Sequence, residues 1–293
     1  MARPPRDKPL PEARPPLRER LRDRDRRLFR FKRIPVRFLL PNIVTLLALS
    51  AGVTAIRLGV EGRFEVAVAA VIVAIVLDAV DGRLARFLKG TTKFGAELDS
   101  LADFVNFGVT PAVLIYIWSL QALGNLGWVV ALGLAVCCAL RLARFNVAID
   151  DPDKPGWASG YFTGVPAPAG AGLALAPFYL GFLGLIPDGR AAAPVILVYI
   201  ALVAMAMVAR IPTFSGKSAG QRVNREMVLP MLAAMVIVAV LLIAYTWQML
   251  AIAALVYIAL IPFGIRSYRR HKRDWDARAA PADGQQTTAP SDP

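Results

Sequence analysis

The chain has 293 residues, 56% of them hydrophobic, and 34 Lys/Arg against 21 Asp/Glu give it a formal net charge of +13. An apolar share above the roughly 45–50% of soluble domains, gathered in long blocks, excludes an ordinary soluble enzyme. A single histidine, His271, excludes a His-built metal site and a Ser-His-Asp triad.

Residues 1–34 form a basic N-terminal tail. Residues 1–17 are rich in Pro and Arg and read as disordered. Residues 18–33 mix alternating charge with Leu21, Leu28, Phe29 and Phe31, a pattern that fits either an amphipathic helix lying on a membrane or a solvated basic tail. The first 37 residues hold 14 Lys/Arg and no apolar core segment, so no cleavable signal peptide is expected.

A helix needs about 20 apolar residues to cross a bilayer. Blocks of that kind follow in chain order: Phe38 to Ile56, Val66 to Leu77 with its flanks, Phe104 to Leu120, Trp128 to Leu140, Pro166 to Ile186, Ala192 to Val208, Val228 to Ala244 and Trp247 to Phe263. The fold class read from them is all-α, a polytopic transmembrane bundle of about eight helices over residues 35–266. Cys137 and Cys138 are adjacent within one block and lack metal-site spacing, so they are read as packing residues. Residues 267–293 read as a disordered C-terminal tail.

With the N-terminus in the cytoplasm, 31 of the 34 Lys/Arg fall on the cytoplasmic side and only Arg57, Arg63 and Arg190 on the other. This is the positive-inside pattern. It predicts an inner-membrane protein with both termini in the cytoplasm. The excess charge then sets topology and touches anionic lipid headgroups, at about 1 kcal/mol per residue near the surface. A nucleic-acid partner is not expected.

Four carboxylates, Asp78, Asp81, Asp99 and Asp103, fall within 26 residues at the ends of two apolar blocks. A charge at membrane depth costs about 2.5–3.5 kcal/mol or more and needs a partner. Salt bridges to Arg83 and Arg86 would account for two of the acids and leave Asp99 and Asp103 unexplained. On a helix Asp78, Asp81, Gly82, Ala85 and Arg86 share one face, and Gly95, Asp99 and Asp103 share another. Four carboxylates with no histidine or thiol suit a hard divalent cation, Mg²⁺ or Mn²⁺. Two such ions can neutralise a pyrophosphate and its leaving phosphate. Gly82 and Gly95 would let a nucleotide approach the backbone closely.

Asp78-Ala-Val-Asp81-Gly82-Arg83-Leu84-Ala85-Arg86, eight further residues and then Gly95-Ala-Glu-Leu-Asp99-Ser-Leu-Ala-Asp103 match in full the D-x2-D-G-x2-A-R-x8-G-x3-D-x3-D signature. The chain thus resembles the CDP-alcohol phosphatidyltransferase family. Outside that signature it resembles the membrane-embedded, serine-using branch over residues 35 to 266. The segments that carry this likeness are Pro41 to Thr45, Asp103 to Ala112, Arg141 to Asn146 and Tyr161 to Gly170, with Asn106 standing where that branch has serine.

The resemblance implies metal binding by Asp78, Asp81, Asp99 and Asp103, with Asp103 also the general base. It implies contacts from Thr45, Gly82, Ala85, Arg86 and Gly95 to the CDP moiety of CDP-diacylglycerol. Transfer of the phosphatidyl group to L-serine would release CMP at a site facing the cytoplasm, in a homodimer. Arg141 and Arg144, with Asn146 and Lys217, are the candidates to hold serine, since an arginine pair suits a carboxylate.

Two other readings compete. A sister transferase would use choline, an inositol phosphate or glycerol phosphate. An ion-coupled transporter would also carry intramembrane acids, but no internal repeat of the kind common in transporters is visible.

Overall fold

The computed structural model describes residues 36–88, 90, 92–149, 161–186, 188–209, 212–214 and 225–279. The expectations for residues 1–34, for Lys217 and for the last residues of the chain lie outside it.

Each apolar block carries a helix. Helix α1 (Val36–Val60) holds Pro41 in its second turn, where the ring supplies no N–H to the carbonyl four residues before it. The Thr45 hydroxyl donates back to the Pro41 carbonyl at 3.1 Å. Helix α2 (Phe64–Phe87) follows a tight turn at Gly62, whose φ of 77° suits glycine. Helix α3 (Lys93–Asp103) starts at Thr92, whose side chain accepts a hydrogen bond from the Gly95 N–H, an N-cap that satisfies one orphan donor. A π-helical segment, Phe104–Val109, joins α3 to α4 (Thr110–Trp118). Then come α5 (Asn125–Ile149), the broken pair α6 (Ala167–Ala174) and α7 (Ala176–Phe182), α8 (Ala193–Val208), α9 (Arg225–Ala244) and α10 (Thr246–Ala279).

The fold is the helical bundle the hydropathy predicts, and the protein is a multi-pass membrane protein. Among the described residues, five helices are long and apolar enough to cross a membrane by themselves: Leu39–Val60, Lys93–Trp118, Asn125–Ala148, Met227–Ala244 and Thr246–Ser267. The expected count of about eight exceeds this for two physical reasons. Helix α2 is about 36 Å long at 1.5 Å per residue, but it carries Glu65, Asp78, Asp81, Arg83 and Arg86. Segments Ala167–Phe182 and Ala193–Val208 are apolar but short.

Two features were not expected. Strands β1 (Tyr161–Thr163) and β2 (Pro212–Phe214) pair antiparallel, Tyr161 opposite Phe214, and tie together the loops that flank α6 and α8. Helix α10 continues to Ala279, past the boundary expected near residue 266.

The packed interior lies between α1, α2, the π segment, α4, α5, α6, α7 and α8. It includes Phe107, Leu114, Ile115, Leu134, Phe178, Tyr179, Ile200 and Met207, all buried. At the end away from the aspartates, Trp118 stacks on Phe178 at 4.5 Å. A Cβ on Gly181 or Gly189 would lie 2.9 or 2.8 Å from the Trp118 ring, so both glycines are there to admit the indole. The Ser119 hydroxyl donates to the Gly189 carbonyl at 2.7 Å and closes the same corner. The outer surface is clothed in exposed apolar side chains such as Leu46, Val53, Val129, Leu202 and Ile237, as a bilayer solvent requires. In α9 the span Met227–Ala244 has no buried residue.

Candidate active site

The four aspartates come from two helices. Asp78 and Asp81 sit three residues apart near the end of α2. Asp99 and Asp103 sit four apart in α3, the second at its last position before the π segment. Carboxylate oxygens of Asp78, Asp99 and Asp103 all lie within 4.8 Å of one another. Asp81 is 3% exposed. Neither of its oxygens has a hydrogen-bond partner, and neither does Oδ1 of Asp103.

Like charges about 4 Å apart repel by roughly 4 kcal/mol at an effective dielectric of 20. Three such pairs would outweigh the stability of most domains, so the cluster demands cations or protons. The salt-bridge explanation fails. Among the described residues the ion pairs are Arg57–Glu61 and Arg63–Glu61, at the opposite end of α2. Arg86 instead donates from Nε to the Gly82 carbonyl at 3.1 Å. Converging carboxylate oxygens with orphaned lone pairs, and neither His nor Cys among them, form a donor set that fits a hard divalent cation.

A cleft of about 170 Å³ opens beside the cluster, lined by Pro41, Asn42, Thr45, Asp81, Gly82, Ala85, Gly90, Thr92, Gly95, Ala96 and Asp99. Of the residues expected to contact a nucleotide, Thr45, Gly82, Ala85 and Gly95 line it together, while Arg86 is not among them. The two glycines differ. A Cβ on Gly82 would meet nothing within 4 Å, whereas one on Gly95 would stand 2.8 Å from Asn42 Oδ1 and 3.1 Å from Thr92 Oγ1. Gly82 therefore leaves the cleft open, and Gly95 lets α1 close on α3. Asn42, Gly90, Thr92 and Ala96 were not singled out in the sequence. Thr92 alone had a readable local signal, as a threonine just before a periodic run.

The acceptor candidates separate. Arg141 is 7% exposed, and its Nε has no hydrogen-bond partner. It lies close enough to Asp103 for their charges to interact, with its guanidinium 5.9 Å from the Phe145 ring centroid. Arg144 donates from a terminal nitrogen to the Val208 carbonyl at 2.6 Å, so it caps the end of α8. Asn146 donates to the Ser100 hydroxyl at 3.0 Å. The arginines thus do not act as one fork: Arg144 turns to the end of α8, while Arg141 is buried against Phe145.

Comparison with known proteins shows what the chain is similar to. A family model described as CDP-alcohol phosphatidyltransferase matches residues 38–209, and a second, CDP-alcohol phosphatidyltransferase 2, matches residues 226–262. The chain is similar to a protein of Mycobacterium tuberculosis named CDP-diacylglycerol–serine O-phosphatidyltransferase, 49% identical over 133 residues, which is 45% of this chain and 46% of the relative. That match therefore spans about half the relative's length. The protein of the same name from Mycobacterium leprae is 35% identical over 245 residues, covering 81% of this chain and 79% of the relative. An archaetidylserine synthase of Methanothermobacter thermautotrophicus is 32% identical over 151 residues, 51% of this chain and 61% of the relative.

Proposed function

The chain belongs to the CDP-alcohol phosphatidyltransferase family, and from that premise we propose that it transfers the phosphatidyl group of CDP-diacylglycerol to L-serine, giving phosphatidylserine and CMP. The observation that carries this reading is the convergence of Asp78, Asp99 and Asp103 beside a cleft that Thr45, Gly82, Ala85 and Gly95 line.

Asp78, Asp81, Asp99 and Asp103 would hold two divalent ions, Mg²⁺ or Mn²⁺. Bound there, the ions supply charge neutralisation to the pyrophosphate and to the departing phosphate. The remaining chemistry falls to the protein. The cleft seats the cytidine end of the donor against α1, α2 and α3. Asp103 accepts the proton of the serine hydroxyl as its oxygen attacks the lipid-bearing phosphorus. The bond from that phosphorus to the CMP oxygen breaks in line, and CMP leaves. A carboxylate is a fit base here because the hydroxyl is a poor nucleophile until its proton has somewhere to go. Arg141 would hold the serine carboxylate, in a buried setting where a charge-assisted pair is strong.

The acceptor reading draws support from the names of the mycobacterial relatives, both CDP-diacylglycerol–serine O-phosphatidyltransferase. In this reading the site faces the cytoplasmic leaflet of the inner membrane, from which the donor lipid is drawn, and two copies form a homodimer.

The decisive assay is CMP release from CDP-diacylglycerol by purified protein with a panel of alcohols. Release that depends on L-serine and on Mg²⁺ or Mn²⁺ is expected. Release driven equally by glycerol phosphate or an inositol phosphate would replace serine as the acceptor.

A further inference from the structure

Glycine inside a helix gives up packing, and a buried amide in lipid needs partners. Each is unfavourable alone, and here they face each other. Asn106 lies in the π segment, 1% exposed, with no hydrogen-bond partner for its Oδ1. A Cβ on Gly52 of α1 would overlap that oxygen and stand 3.0 Å from Cγ of the same side chain. Thr110, four residues on, donates its hydroxyl to the Gly52 carbonyl at 3.3 Å. The bare backbone of Gly52 is thus the seat on which the Asn106 and Thr110 side chains rest.

The placement of this contact gives it a use. Gly52 stands seven residues, two helical turns, beyond Thr45 on one face of α1, and Thr45 lines the donor cleft. Asn106 stands three residues beyond Asp103, just inside the π segment. Segments of this kind insert a residue into a helix and turn the following side chains away from the preceding face. Asp99 and Asp103 therefore point toward Asp78, while Asn106 and Thr110 point toward α1.

We propose that Gly52 and Asn106 form an interlock that fixes the distance between α1, which walls the donor cleft, and the helix carrying Asp99 and Asp103. Asn106 is then a positioning residue for the general base. It acts through the seating of its amide on Gly52, and in this it rests on the reaction proposed above.

The test uses the full-length chain in detergent or nanodiscs. Gly52→Ala should lower kcat for CMP release about ten- to hundredfold, while KM for CDP-diacylglycerol stays within about threefold, because a displacement near 1 Å is enough to misalign a base. Asn106→Ala removes the atoms with which the new methyl collides. The double variant should accordingly return to within about threefold of Asn106→Ala alone. A kcat for Gly52→Ala within about twofold of the unaltered chain, or a double variant more than about threefold slower than Asn106→Ala alone, overturns the interlock. Should Gly52→Ala fail to fold, the same substitution in the Asn106→Ala background must fold and turn over as that background does, and failure there also overturns it.

Mn²⁺ affinity read by electron paramagnetic resonance, with no substrate present, separates this proposal from the reaction. Weakened binding in Gly52→Ala that is restored in the double variant supports the interlock even if L-serine proves not to be the acceptor. Unchanged Mn²⁺ binding across the three variants counts against it.

Discussion

Asp103 and Asp78 share one cluster, yet substitution should separate their roles. Asparagine keeps an oxygen for a metal but cannot accept a proton. Asp103→Asn should retain CDP-diacylglycerol binding and lose about 10²–10⁴-fold in kcat, the usual contribution of a general base. Asp78→Asn should weaken Mg²⁺ or Mn²⁺ binding and recover in part when the ion is raised. Metal titrations of both variants check this, and recovery of Asp103→Asn alone would reverse the assignment. The arginines are expected to divide as well. Arg141→Ala should raise the KM for serine more than that for the donor. Arg144→Ala should chiefly cost stability, about 1.5–3 kcal/mol for a lost hydrogen bond from a charged group, read as a lowered midpoint of thermal unfolding. At this scale the sequence was legible in part: it set four aspartates at helical spacing, and the fold gathers Asp78, Asp99 and Asp103 into one cluster. What it hid was Arg144. Three residues from Arg141 on one helix, it looked like half of a fork. Only the arrival of the α8 carboxyl end, 64 residues away in the chain, shows where its guanidinium goes.

Elements meet in this bundle wherever glycine lets them, and the glycines are not equivalent. The Cβ of Gly82→Ala enters open space in the cleft, so that variant should fold normally and show a raised KM for CDP-diacylglycerol. Gly189→Ala would press on the Trp118 ring at the far end. It should cost about 1–3 kcal/mol of stability, as overpacking does, with the donor KM unchanged. Steady-state kinetics beside thermal unfolding of the two variants distinguishes them, and a Gly189→Ala variant that shifts KM alone would refute the division. Hydropathy located most of the helices because each apolar block is a local property of the chain, but the short helix α3 lies in none of those blocks. It did not foresee the β1–β2 pair or the π segment. The former joins loops about 50 residues apart. The latter depends on how Asn106 and Gly108 dock between α1 and α5. Neither leaves a periodic trace in composition.

For the whole molecule, alternation of the helices brings the aspartate cleft to one end. Gly59, Gly62, Trp118, Gly181 and Arg190 gather around a cavity of about 480 Å³ at the other. Counting Lys/Arg along the sequence with the N-terminus in the cytoplasm puts 31 of 34 on one side, and we propose that the aspartate end faces that side. A cysteine placed at position 190 should then react with impermeant reagents from the opposite side of the membrane only. Reaction from the cytoplasmic side alone would invert the topology. Helix α10 has a consequence of its own. Its apolar span ends at Ser267 but the helix runs on to Ala279, a projection of about 18 Å at 1.5 Å per residue. The Debye length at physiological ionic strength is about 8 Å. With the axis along the membrane normal, the helix backbone leaves the counterion cloud of the lipid surface about two turns beyond Ser267, and its last turn stands at the height of bulk water.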